Sequence, residues 1–207
     1  MKTLFRFFLA AALCGTALAG CTQAPAPSAV PSFDDIVASR RSIRQYDPAV
    51  KLTQDEVKTI IATSQEAPSW ANVQPARYYA VMTEENLSAV KELVGPGNAR
   101  NVADAPVLIV TTFVKGTSGF FRGNPANEIG DGWGAYDTGL AHAYLILKAR
   151  EMGYDTLIMG MRDSDKLRST LGIPDTEEVM AVISVGKRVS DPERPSRKPL
   201  EQVLVFK

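Results

Sequence analysis

The chain has 207 residues, 45% hydrophobic and 22% charged, and its 23 basic residues balance 23 acidic ones. Such a composition belongs to a folded globular chain, and the length suits one domain with a sizeable core. Zero net charge leaves no basic footprint for nucleic acid, and two cysteines with a single histidine, His142, are too few for a structural zinc site or a disulfide framework.

Lys2 and Arg6 precede an apolar run from Phe7 to Leu13, which reads as a secretory signal and is too short to span a bilayer. Leu18-Ala19-Gly20-Cys21 resembles the bacterial lipobox. That resemblance implies cleavage before Cys21 and lipidation of its thiol; a buried N-terminal helix and a cleaved soluble-secretory signal are the alternatives. The expected organisation is a lipoprotein signal peptide over 1–20, a lipidated cysteine with a Pro/Ala/Ser-rich tether over 21–32, and a folded domain over 33–207. Such a product is a membrane-anchored lipoprotein on the periplasmic or cell-surface side. Loss of residues 1–20 removes Lys2 and Arg6 and no acid, leaving 21 basic against 23 acidic groups and a net charge of −2.

Ser32 before Phe33-Asp34-Asp35-Ile36-Val37 predicts an N-capped short helix. Thr53 and Glu56 have capping-box spacing, and Val57, Ile60 and Ile61 extend a helix to about residue 66. A Tyr/Val-rich strand is expected over 77–83, a helix over 84–94, and turn punctuation at Gly95-Pro96-Gly97. The continuous run of residues 106–114 suits a strand buried on both faces. Residues 115–131, bearing Gly, Asn and Pro, read as a long loop. The longest helix is expected over 134–152, with apolar and small faces fit for a core or a dimer seam, and Gly153 stops it. A short strand over 155–161, a helix over 163–171, a strand over 177–186 and a last apolar run over 200–206 complete the chain. Helices and strands intermix without a regular βαβ alternation, so the class is α+β rather than a Rossmann domain.

His142 lies among Ala141, Ala143 and Tyr144 on the long helix, where a packing or partly exposed role outweighs a catalytic one. Arg40-Arg41-Ser42-Ile43-Arg44 holds three guanidiniums and a hydroxyl within five residues. Arginine forks match phosphate oxygens, although a solvated charged face is the commoner outcome of such a run. Residues 67–75 place the amides of Asn72 and Gln74 between prolines, a set suited to the edge of a heterocycle. A rigid loop without a ligand is the alternative.

Arg40-Arg41-Ser42-Ile43-Arg44 and Pro68-Ser69-Trp70-Ala71-Asn72-Val73-Gln74-Pro75 together resemble the FMN-dependent nitroreductases, whose pattern runs R-R-S-x-R and then P-S-x-x-N-x-Q-P. The resemblance continues through Asp137-Thr138-Gly139, residues 152–160, Leu171-Gly172-Ile173-Pro174, Ser184-Val185-Gly186 and residues 197–201. It implies an α+β, three-layer fold with a mostly antiparallel central sheet flanked by helices. It also implies a homodimer with FMN at the subunit interface. Arg40, Ser42 and Arg44 are then expected to hold the phosphate and the polar edge of the flavin, with Arg41 a lesser candidate and Arg197 or Lys198 approaching from the C-terminal segment. Asn72 and Gln74 would face the flavin, Gln74 from the partner subunit, and backbone groups at Met159 and Gly160 would lie beside the reactive ring nitrogen and carbonyl. No catalytic side chain and no metal are implied, because the cofactor carries the hydride. NADH or NADPH would reduce the flavin, and a nitroaromatic, quinone or similar small acceptor would reoxidise it in a ping-pong cycle.

One departure stands out: the family segment often ends Q-P-W, whereas here Ala76 follows Gln74-Pro75. Trp70, Phe120, Phe121 and Trp133 are candidates to restore an aromatic surface, with core packing the favoured expectation for each. Export also sets compartment against chemistry, because reduced nicotinamide is scarce outside the cytoplasm. A flavin- or ligand-binding lipoprotein without turnover, and an interaction lipoprotein that has lost the cofactor, are therefore the competing readings.

Overall fold

The computed structural model describes residues 31–207. The signal peptide, Cys21 and nearly all of the tether lie outside the described residues. In chain order the elements are α1 (Phe33–Ser39), α2 (Gln54–Gln65), β1 (Ala76–Val81), α3 (Glu84–Glu92), α4 (Pro96–Asn101), β2 (Val107–Val114), β3 (Phe120–Phe121), β4 (Asn124–Pro125), α5 (Gly132–Glu151), β5 (Asp155–Met159), α6 (Ser164–Leu171) and β6 (Glu177–Gly186). Single 3-10 turns lie at Trp70–Asn72 and Leu200–Gln202.

Local chemistry accounts for most helix ends. Ser32 with Asp35, and Thr53 with Glu56, form complete capping boxes at α1 and α2, while Asp163 caps α6. Gly172 ends α6 at φ 65°, a left-handed conformation that glycine adopts without penalty. Two expectations need correction. Pro96 does not close a turn but occupies the first turn of α4, where its missing N–H costs nothing. The segment 115–131 is not wholly irregular, since β3 and β4 pair as a small hairpin.

The main sheet has the order β1-β2-β6-β5, and every neighbouring pair is antiparallel. Side chains alternate through it, so the central strands feed two cores. Leu108, Val110 and Val182 pack with Val90, Val94 and Leu167 on the side of α3, α4 and α6. Val107, Ile109 and Ile183 pack with Ile60, Leu145 and Ala149 on the side of α2 and α5. The result is the three-layer arrangement implied by the resemblance. Register shifts where Thr111 faces Ala181 and Thr112 faces Val179, leaving Met180 as the extra residue of a bulge. The bulge reverses the alternation, which is why Val179 and Val182, three apart, enter the same core.

The long helix α5 is held tightly against the sheet. A Cβ at Gly134 would come within 2.4 Å of the Phe113 ring, so only glycine permits that approach. His142 is buried on the same helix, 8% exposed, and its Nε2 has no hydrogen-bond partner among the described residues. It packs within the fold. Burial lowers its pKa from 6.5 to about 4, so the folded state holds it neutral while the unfolded chain takes up a proton. Between pH 6.5 and about 4 the unfolded state therefore binds more protons, and stability falls as pH falls. Urea unfolding across that window is expected to show this loss, and His142→Gln is expected to flatten it.

Candidate functional site

The arginine segment is placed by the sheet. Ser42 makes a parallel bridge to Thr156, and the Ile43 amide donates to the Thr156 carbonyl at 3.0 Å, so residues 42–44 run beside β5 as a short extra edge. Ile43 is buried, and alternation turns Ser42 and Arg44 outward. Tyr46 secures the inner face, its hydroxyl donating to the Ile43 carbonyl at 3.0 Å and lying 2.7 Å from Ser184 Oγ.

Beneath this edge lies Asp155, whose side chain is wholly buried. Arg188 Nε donates to its Oδ2 at 2.7 Å and Arg188 Nη2 to its Oδ1, while Arg150 Nη1 stands 3.4 Å from Oδ2. Both arginines also reach the end of α1: Arg188 Nη2 donates to the Ser39 carbonyl and Arg150 Nε to Ser39 Oγ, each at 3.0 Å. Arg188 further pairs with Asp191. One carboxylate thus joins α1, the end of α5, the start of β5 and the exit of β6, immediately before Arg40. This hub has no local sequence signature, because its members come from positions 39, 150, 155 and 188.

Above it, Arg40, Arg41, Ser42 and Arg44 face Pro192, Glu193, Pro195 and Arg197 across a cleft of about 170 Å³. The pKa of Arg40 is pushed below the usual guanidinium value, first by burial and then by Arg197, Arg41 and Arg194. Mutual repulsion of this kind is relieved by an anion, and forked donors suit a phosphate. Arg41 is largely committed to the backbone, donating to the carbonyls of Ala38, Arg40 and Pro192 at 2.6, 2.9 and 3.3 Å, so it serves as a strut. Arg197 lines the cleft, whereas the exposed Lys198 does not.

The amide segment is strained. Ala71, Asn72 and Gln74 have φ of 43°, 58° and 48°, left-handed values that cost non-glycine residues roughly 1–3 kcal/mol each. Ser69 Oγ accepts from the Gln74 amide at 3.0 Å, and Asp137 Oδ2 accepts from the Trp70 amide at 3.0 Å and from Ser118 Oγ at 2.6 Å. Asp137 is buried in α5. In the sequence it is marked by the Asp137-Thr138-Gly139 part of the family resemblance and as an acid in mid-helix with no basic residue three or four positions away. The turn leaves Asn72 and Gln74 exposed, with Gln74 Nε2 donating to Asn72 Oδ1 at 3.2 Å.

Within one protomer these groups do not form a single pocket. Gln74 and Ala76 line a separate cleft of about 80 Å³ with Ser64, Arg77, Tyr78 and Asp137, and none of Arg40, Arg41, Arg44 and Arg197 lines it. Met159 is the last paired residue of β5, opposite Val182, and its side chain is buried. Gly160 follows it into the open, and a Cβ built there would meet nothing within 4 Å. The aromatic expectation is corrected: none of Trp70, Phe120, Phe121 and Trp133 is buried. Trp70 lies 5.1 Å from Trp133 between ring centroids, and Trp133 lies 5.6 Å from Tyr136 in an edge arrangement, so they form a surface cluster. Phe121 is exposed beneath Arg122.

Comparison with known proteins identifies the family. The profile described as the nitroreductase family matches residues 37–187. This chain belongs to that family. YdgI of Bacillus subtilis (strain 168), which carries an NAD(P)H nitroreductase name, is 26% identical, the match covering 84% of this chain and 97% of YdgI. The enone reductase of CLA biosynthesis from Lactiplantibacillus plantarum is 27% identical, over 79% of this chain and 88% of its own. A nitroreductase-type structure from Exiguobacterium sibiricum 255-15, solved in complex with FMN, superposes with a TM-score of 0.77 at 25% identity, covering 86% of this chain and 98% of that one. Nitroreductases are FMN-dependent enzymes, and the residues here fit that cofactor. Forked cations face a phosphate-sized cleft, side-chain amides are held outward, and backbone at Gly160 is open to close approach.

Because the Asp155 hub sets the position of Arg40 to Arg44, Asp155→Asn is expected to leave two guanidiniums without their buried partner. The expected cost is about 3–5 kcal/mol in urea unfolding.

Proposed function

We propose that this nitroreductase takes a hydride from NADH or NADPH onto FMN and passes it to a nitroaromatic, quinone or related small acceptor in two alternating half-reactions. Bound FMN supplies the two-electron chemistry, and the protein supplies binding, orientation and electrostatics. The observation that carries the reading is the shared β5 edge. Ser42 bridges β5 at Thr156, and four residues further along the chain, just past the end of that strand, Gly160 is exposed. Four extended residues span roughly 13 Å. That reach suits a phosphate at the arginine cleft and a ring at Gly160. Arg40, Ser42, Arg44 and Arg197 hold the phosphate end, Asn72 and Gln74 offer amides to the ring, and no histidine or thiol takes part.

The working unit of this reading is a homodimer. Its support is that Gln74 and the arginines line different clefts of one protomer, so Gln74 from the partner subunit completes the site. Apolar surface agrees: Tyr136 and Tyr144 on α5, and Leu200, Val203, Val205 and Phe206 in the C-terminal segment, are exposed. A covering partner would remove that surface from water.

The lipobox-like Leu18-Ala19-Gly20-Cys21 supports, in the same reading, an enzyme outside the cytoplasm tethered through lipid on Cys21. Its donor is then a reduced nicotinamide or an equivalent hydride source available there.

Purified protein is expected to be yellow and to bleach when reduced nicotinamide is added without oxygen. Arg40→Ala with Arg44→Ala is expected to strip the flavin absorbance, and a colourless wild type that takes up no added FMN would overturn the reading. Cys21→Ser is expected to move the protein from the membrane to the soluble fraction, and unchanged fractionation would remove the anchor.

A further inference from the structure

β5 pairs with β6 only as far as Met159 opposite Val182. From Glu177 to Ala181, β6 has β2 on one side and, among the described residues, no strand on the other. Two guanidiniums stand in for the missing strand. Arg162 Nη2 donates to the Val179 carbonyl, and Arg168 Nη2 to the Glu177 carbonyl at 2.9 Å; carbonyls two residues apart point the same way.

The two arginines differ in how their charge is met. Arg168 also donates to the Pro174 carbonyl at 2.6 Å and stands 3.6 Å from a carboxylate oxygen of Asp175. Arg162 has no carboxylate within 4 Å among the described residues, and its buried Nε finds no acceptor. Its remaining fork, Nη1, donates to the Gly160 carbonyl at 2.9 Å. A cation without a counter-charge is thereby locked to the peptide that ends β5. Past Met159 the ladder with β6 has ended, and the Gly160 carbonyl accepts from Arg162.

We propose that Arg162 is a positioning residue for the redox centre. Resting on the flavin reading above, it presents the Gly160 backbone to the ring and holds behind it a fixed positive charge. Reduction by hydride adds negative charge to the flavin, and a preorganised cation in a partly dehydrated site favours that state over the oxidised one. Arg162 therefore raises the reduction potential of bound FMN, and does so without touching the phosphate.

The test uses the FMN-loaded full chain. Midpoint potential is read by equilibration with reference dyes, and FMN affinity by fluorescence titration. Arg162→Met is expected to weaken binding of reduced relative to oxidised flavin by about tenfold, equal to a fall of about 30 mV for a two-electron couple. Affinity for oxidised FMN is expected to stay near wild type. Arg168→Met removes the neighbouring strut from the same β6 edge and is expected to leave the potential in place. Arg162→Lys keeps the charge and is expected to restore most of the potential, whereas Arg162→Gln keeps a donor and is expected not to; this pair carries the test if the methionine variant does not fold. An unchanged potential in Arg162→Gln, or equal shifts in the Arg162 and Arg168 variants, would overturn the proposal. A wild type that binds no FMN would instead refute the flavin reading itself.

Discussion

A carboxylate taken wholly out of water must be paired, and the way Asp155 is paired shapes the rest of the site. Its partners arrive from the end of α5 and the exit of β6, and each has a donor left to reach Ser39. The fork of Arg188 meets both carboxylate oxygens at once, which fixes direction as well as distance. Arg40 to Arg44 start from that fixed point, and the short parallel bridge to β5 carries them along the sheet edge. Arg150 and Arg188 are absorbed by the hub, and Arg41 by backbone carbonyls. Arg40, Arg44 and Arg197 also line the cleft, Arg44 and Arg197 each spending one Nη on neighbouring backbone carbonyls.

Asp137 solves a different problem with the same residue class. It has no guanidinium; it accepts an amide N–H and a serine hydroxyl, and so holds the turn that carries Asn72 and Gln74. Three left-handed non-glycine residues in that turn persist because Asp137 and Ser69 hold its ends. Helix α5 supplies both Asp137 and Arg150, so one rigid element sets the positions of both ligand-facing segments. On the proposed reading the cofactor carries the hydride, and the protein supplies position and electrostatics. Its precision is spent on where cations and backbone groups stand, which is what a cofactor-centred reaction demands.

Much of the fold was legible because its signals are local. Capping boxes at Ser32 and Thr53, the unbroken β-branched run of β2 and the span of β6 each follow from neighbouring residues. The family pattern likewise lies in short motifs, which is why the arginine segment 40–44 and the amide segment 68–75 stand out in the sequence. Less legible were α4, hidden behind a Gly-Pro-Gly that resembles a turn, and the aromatic cluster, since hydrophobic rings carry no mark of which partner will cover them.

From its sequence alone this chain is determined to be an α+β nitroreductase with an arginine-rich segment at 40–44, because periodicity, caps and motif spacing act over a few residues. Only the tertiary structure decided which arginines face the cleft and which are struts, that Asp155 and Asp137 organise the site, and that Arg162 binds the end of β5. Those assignments depend on burial and on partners between 1 and 151 positions apart in the chain, and the cost of an unpaired buried charge is felt only once the layers have closed.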